Sequence, residues 1–86
     1  MFDILIISPF EYALKQKAED IKLKLFCDEL ANYKLHMIKA MPDEIVGKLH
    51  GKSFDSAYID NEYIDEEVAE IRNHITGKSY KNIKFF

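Results

Sequence analysis

An α/β fold built on a parallel sheet is predicted for this chain by three observations. The opening run Phe2-Asp3-Ile4-Leu5-Ile6-Ile7-Ser8 is apolar on both parities, which fits a strand covered on both faces rather than one. Strand-like and helix-like stretches then alternate to the last residue, giving the order β-α-β-α-β-α-β. Finally, 86 residues with 48% hydrophobic and 31% charged side chains suit a folded chain with one core, so residues 1–86 are read as a single domain.

Each element follows from local chemistry. Ser8 can cap the orphan amides of a first helix, Pro9 fits its first position, and Glu11 falls three residues after the cap, the spacing of a capping box. No breaker comes before Asn32, so the helix is predicted over Pro9–Ala31. Tyr33–Lys39 is apolar-rich and bounded by Asn32 and Pro42, a second strand. Pro42-Asp43-Glu44 resembles a first helical turn, with Ile45, Val46 and Leu49 as a small buried stripe and Gly51 as the stop. Phe54–Asp60 is a third strand. Asp65 caps a helix whose Val68, Ile71 and Ile75 recur at helical spacing up to Gly77, and Tyr80–Phe86 is a fourth strand.

Right-handed crossovers turn this order into a small three-layer, Rossmann-like or flavodoxin-like domain: four mostly parallel strands in the order 2-1-3-4 with three helices. Were the short middle helix only a loop, the pattern would become a ferredoxin-like βαββαβ unit with the second and third strands antiparallel.

Composition narrows the function classes. Twelve basic against fifteen acidic residues give a net charge of −3, so the chain as a whole has no electrostatic reason to seek nucleic acid. The single Cys27 forms no internal disulfide, which fits a reducing, cytoplasmic location. It lies near the outer side of the first helix, with no base identified beside it, and reads as a buried or interfacial thiol. The start Met1-Phe2-Asp3 carries no basic leader, and Ile4–Ile7 is far shorter than the roughly 20 residues of a membrane helix. His36, His50 and His74 sit on separate elements without ligand or triad spacing, so neither metal site nor cofactor is expected from them.

Two tripeptides, Gly51-Lys52-Ser53 and Gly77-Lys78-Ser79, look like the tail of a phosphate-binding loop. The earlier glycine it requires is replaced by Val46 and Arg72, and each tripeptide follows a helix and precedes a strand, the reverse of what aims backbone amides at phosphate. Both read as turns. Asp60 is the stronger candidate, because it ends the third strand and in the 2-1-3-4 order lies beside Ser8 at the switch point, where open α/β sheets take ligands. A carboxylate there could hold Mg²⁺; alternatively it caps the turn Asp60-Asn61-Glu62.

Phe54-Asp55-Ser56-Ala57-Tyr58-Ile59-Asp60-Asn61, between a short helix and an acidic helix start, resembles two families across residues 42–76. One is the response-regulator receiver domain, in which the likeness implies that Asp60 matches the phosphoacceptor. The other is the Walker B half of P-loop ATPases, in which it would serve the metal. The receiver family's paired acids would fall near Ile7 and Ser8, and the ATPase phosphate loop would follow the first strand; neither is present. Either resemblance therefore implies a degenerate, inactive relative, with a minimal phosphoacceptor or Mg²⁺-dependent nucleotide-binding domain as the alternative function.

Charge and helix patterning point elsewhere. Residues 1–54 carry eight basic and eight acidic groups, residues 55–70 seven acids (Asp55, Asp60, Glu62, Asp65, Glu66, Glu67, Glu70) and no base, and residues 71–86 four bases and no acid. The acidic segment could dock a basic partner or simply complement the dipole of the third helix. A third reading is a nucleic-acid binder using Lys78, Lys81 and Lys84, in which only this tail has the sign nucleic acid requires and the adjacent acids oppose it. In the first helix, Phe10, Leu14, Ala18, Ile21 and Leu25 form a stripe about 80° wide, while Tyr12, Leu23, Phe26 and Leu30 cluster on nearly the opposite side. An apolar patch there marks an interaction surface. The expectation is a non-catalytic protein–protein interaction module, a homodimer or a small acidic regulator or inhibitor of a larger complex. By analogy, such chains suit phages or mobile elements. The partner-binding residues would be Tyr12, Leu23, Phe26 and Leu30 together with Asp60, Glu62, Asp65, Glu66, Glu67 and Glu70.

Overall fold

In the computed structural model, residues 2–27, 32–76 and 82–86 are described, the side chains of residues 25–27 excepted. The elements run β1 (Phe2–Ser8), α1 (Glu11–Cys27), β2 (Tyr33–Lys39), a 3₁₀ turn (Pro42–Glu44) leading into α2 (Ile45–Leu49), β3 (Ser56–Ile59), α3 (Asp65–Arg72) and β4 (Ile83–Phe85). All strand pairs are parallel, in the order β2-β1-β3-β4. This is the predicted α/β layout. The ferredoxin-like alternative fails because β2 and β3 lie on opposite sides of β1 and do not pair.

Handedness distributes the helices. The β1-to-β2 crossover moves one way along the sheet and the later two move the other way, so right-handed connections put α1 on one face and α2 with α3 on the other. The two apolar clusters follow this division. Ile6 packs with Leu14, Ala18 and Ile21 of α1. On the other side Leu5, Ile7, Ala57 and Ile59 pack with Ile45, Leu49, Val68 and Ile71. Alternation along β1 thus fills both layers, the physical reason for its unbroken apolar run.

Several boundaries differ from expectation. Phe10 precedes α1 rather than joining its buried stripe; it is 39% exposed and stacks on Tyr12 at 5.6 Å. Helical periodicity did not apply to it because Phe10 is not yet helical. Ser8 bonds one residue ahead of the helix, its Oγ accepting the Phe10 amide at 3.0 Å; the carboxylate of Glu11 lies 3.9 Å from Lys15, and a return bond to Ser8 is not among the hydrogen bonds of the described residues. Residues 28–31, the predicted end of α1, fall outside them.

Val46 is 61% exposed, since Ile45 and Leu49 are one turn apart and claim the inward side of a five-residue helix. β3 is shorter than predicted: Phe54 instead makes a single parallel bridge to Ile75, which lies beyond the end of α3 and is buried in the same cluster as Phe54 and Ile71. The N-cap of α3 is Ile64 rather than Asp65; its amide is held by the carboxylate of Glu67 at 2.8 Å. β4 begins at Ile83, the predicted start at Tyr80 lying outside the described residues. Gly51 ends α2 with φ +72°, and the Lys52 amide donates to Leu49 at 3.0 Å. The first phosphate-loop look-alike is a turn; the second, Gly77-Lys78-Ser79, lies outside the described residues.

Candidate functional site

The carboxyl ends of the strands bring the predicted pair together. Ser8 ends β1 and Asp60 follows β3, and the Asp60 amide donates to the Ile7 carbonyl at 3.0 Å. Side by side, the Ser8 hydroxyl donates to Oδ2 of Asp60 at 2.6 Å. Oδ1 accepts the Glu62 amide at 2.9 Å. Both carboxylate oxygens are therefore engaged, and Asp60 is only 5% exposed.

A third residue, which sequence reasoning passed over, closes the same end. Tyr63 donates its hydroxyl to the Ala40 carbonyl at 2.7 Å, tying the loop after β3 to the end of β2 across the tip of β1. Burial, helped by the charges of Asp60, Glu67 and Glu44, raises the Tyr63 phenol well above its usual pKa, so it remains a donor. A tyrosine three residues past a strand-ending aspartate was the available signal, but its reach to β2 depends on a strand order that no local pattern encodes. Ligands of open α/β sheets enter at this switch point; here its polar groups are bonded to one another.

The other candidates divide. Tyr12 and Leu23 lie on the outer side of α1 at 70% and 68% exposure. They are eleven residues apart, about 16 Å along the axis and nearly in line. The side chain of Phe26 and all of Leu30 fall outside the described residues. In the acidic segment, Glu62, Asp65 and Glu66 are exposed around the start of α3, whereas Glu67 caps that helix and Glu70 lies 3.7 Å from His74. Asp55 sits at the opposite end of β3, its Oδ2 accepting the Asp3 amide at 2.7 Å. Contiguity in sequence thus does not make one acidic surface.

Two of the three histidines are in structural contacts, while His50 is exposed. His36 is 2.9 Å from Asp3 and meets Phe54 edge-on at 5.2 Å, while Nδ1 of His74 lies 3.1 Å from the Lys52 carbonyl. Among the described residues, no three His, Cys, Asp or Glu side chains converge as metal ligands, and no helix is long and apolar enough to cross a membrane. No family model, curated protein or solved structure matches the chain. Fold and geometry therefore carry the functional argument: this is a four-stranded parallel α/β domain whose switch-point carboxylate is held inside the protein.

Proposed function

We propose that the protein is a non-catalytic interaction module that binds a second copy or another protein through the outer face of α1, with the acidic start of α3 as an additional contact. The observation that carries this reading is the exposure of Tyr12 and Leu23 opposite the stripe of Leu14, Ala18 and Ile21 that packs on the sheet. A helix ordinarily turns a polar side to water; this one sets two large apolar groups there, with Phe10 stacked against the first. Glu62, Asp65 and Glu66 add negative charge that favours a basic partner. The engagement of both Asp60 oxygens, by Ser8 and by the Glu62 amide, supports this role over the phosphoacceptor or Mg²⁺-binding alternative. Light scattering and affinity capture compare the intact chain with Tyr12→Asp/Leu23→Asp. An assembly or retained partner that the double substitution abolishes is the expected result; a monomer in both forms with no partner retained overturns the reading.

A further inference from the structure

One helix does not cover four strands. Strands spaced about 4.8 Å apart make a sheet roughly 15 Å wide, and a helix with its side chains is about 10 Å across. α1 packs over β1 and β2, which leaves the same face of β3 and β4 without a helix among the described residues. Tyr58 and Lys84 are register partners there, and Phe86 points to the same side, packed against the α1 cluster with Tyr58. Beside them is a shallow pocket of about 180 Å³ between α1 and β4, walled by Lys24, Lys84, Ser56, Asn82 and the Tyr58 ring.

Among the described residues, the charged groups at the pocket and the two rings are all lysines. Lys17 reaches over both rings, its ammonium 5.1 Å from the centre of Tyr58 and 5.8 Å from that of Phe86. Lys84 approaches Tyr58 to 5.9 Å. Among the described residues, none of Lys17, Lys24 and Lys84 makes an ion pair and no acid lines the pocket. Asp20, between Lys17 and Lys24 on the helix, pairs with neither, and the Asp55 carboxylate is taken up by the Asp3 amide. A net charge of −3 is a sum over faces, and among the described residues this one gathers three lysines.

Aromatic rings give a base a stacking platform, and ammonium groups hold a phosphate; together they are the elements of sequence-tolerant nucleotide binding. We infer that this shelf binds a nucleoside phosphate, its base taking the place of the Lys17 ammonium against Tyr58 and Phe86 and its phosphate between Lys24 and Lys84. The ligand is a free nucleotide or one residue of a single strand. The inference is independent of the outer face of α1.

Amide and aromatic NMR shifts of the whole chain test it, with adenosine monophosphate, a short oligothymidylate and inorganic phosphate as probes. Saturable shifts at Tyr58, Lys84 and Phe86 are expected, with phosphate alone weaker by about tenfold or more. A similar loss is expected in Lys24→Glu/Lys84→Glu, whose exposed positions leave the amide spectrum folded. Tighter, salt-dependent binding of the oligonucleotide identifies a strand as the source, and equal affinity identifies the free nucleotide. The inference is overturned if neither nucleotide probe saturates at millimolar concentration, if phosphate alone binds as well, or if charge reversal or Tyr58→Leu leaves the affinity unchanged.

Discussion

Ser8 and Asp60, 52 residues apart in sequence, share a hydrogen bond of 2.6 Å inside the protein. The same serine oxygen accepts the Phe10 amide and the same carboxylate accepts the Glu62 amide. One contact thus joins the start of α1 to the turn after β3, with both oxygens of Asp60 engaged.

Removing either partner strands a buried polar group. Ser8→Ala should cost about 1–3 kcal/mol, and Asp60→Ala, which leaves two donors unmet, about 2–4 kcal/mol. Urea unfolding of both single variants and the double should give a coupling of about 1 kcal/mol or more. Additive losses would mean that the two groups act independently.

Tyr63 predicts an alkaline limit. Its folded pKa lies above the unfolded value of about 10, so the native state keeps a proton that the unfolded chain gives up. The stability this supplies is whole below that unfolded value and declines as pH rises through the interval above it. Tyr63→Phe should lose about 1 kcal/mol at neutral pH, through the bond to Ala40, and show a shallower fall in stability above about pH 10. Parallel pH profiles for the two proteins would contradict this.

The two sides of α1 should answer very differently to truncation. Leu14→Ala opens the core and is expected to cost about 2–5 kcal/mol. Leu23→Ala, on the exposed side, should change monomer stability by no more than about 0.5 kcal/mol. Thermal unfolding at low protein concentration separates the two; a large loss from Leu23→Ala would place that residue in the fold instead of on a surface.

Gly51 holds φ +72°, and a Cβ added there would meet nothing within 4 Å. Gly51→Ala should therefore cost about 1 kcal/mol from backbone conformation alone. A neutral result in denaturant unfolding would show that the turn relaxes around the new side chain.

Much of this architecture was legible because its signals are local and redundant. The apolar parity of Ile4–Ile7 foretold two covered faces, and a parallel sheet with right-handed crossovers then put Ser8 next to Asp60. What escaped depends on partners remote in sequence. Nothing near Ile64 advertises an N-cap, since Glu67 does the capping from within the helix. Ile75 keeps helical spacing with Ile71 yet lies beyond α3, bridged to Phe54 just ahead of β3. The reach of Tyr63 to Ala40 follows only once the order of strands is known. Lys84 was legible as a base of the C-terminal tail, but Lys17 and Lys24 escaped for the same reason: summed charge conceals which face a lysine occupies.

The pairing of β1 with both β2 and β3 has a consequence for biosynthesis. As the polypeptide leaves the ribosome, Ile4–Ile7 emerges before any of the segments that sheathe it, and one flank stays open until Ser56–Ile59 has been translated. For that interval the nascent protein displays its stickiest tetrapeptide, so its yield in the cell should respond to chaperone supply and to the speed of elongation more than its small size suggests.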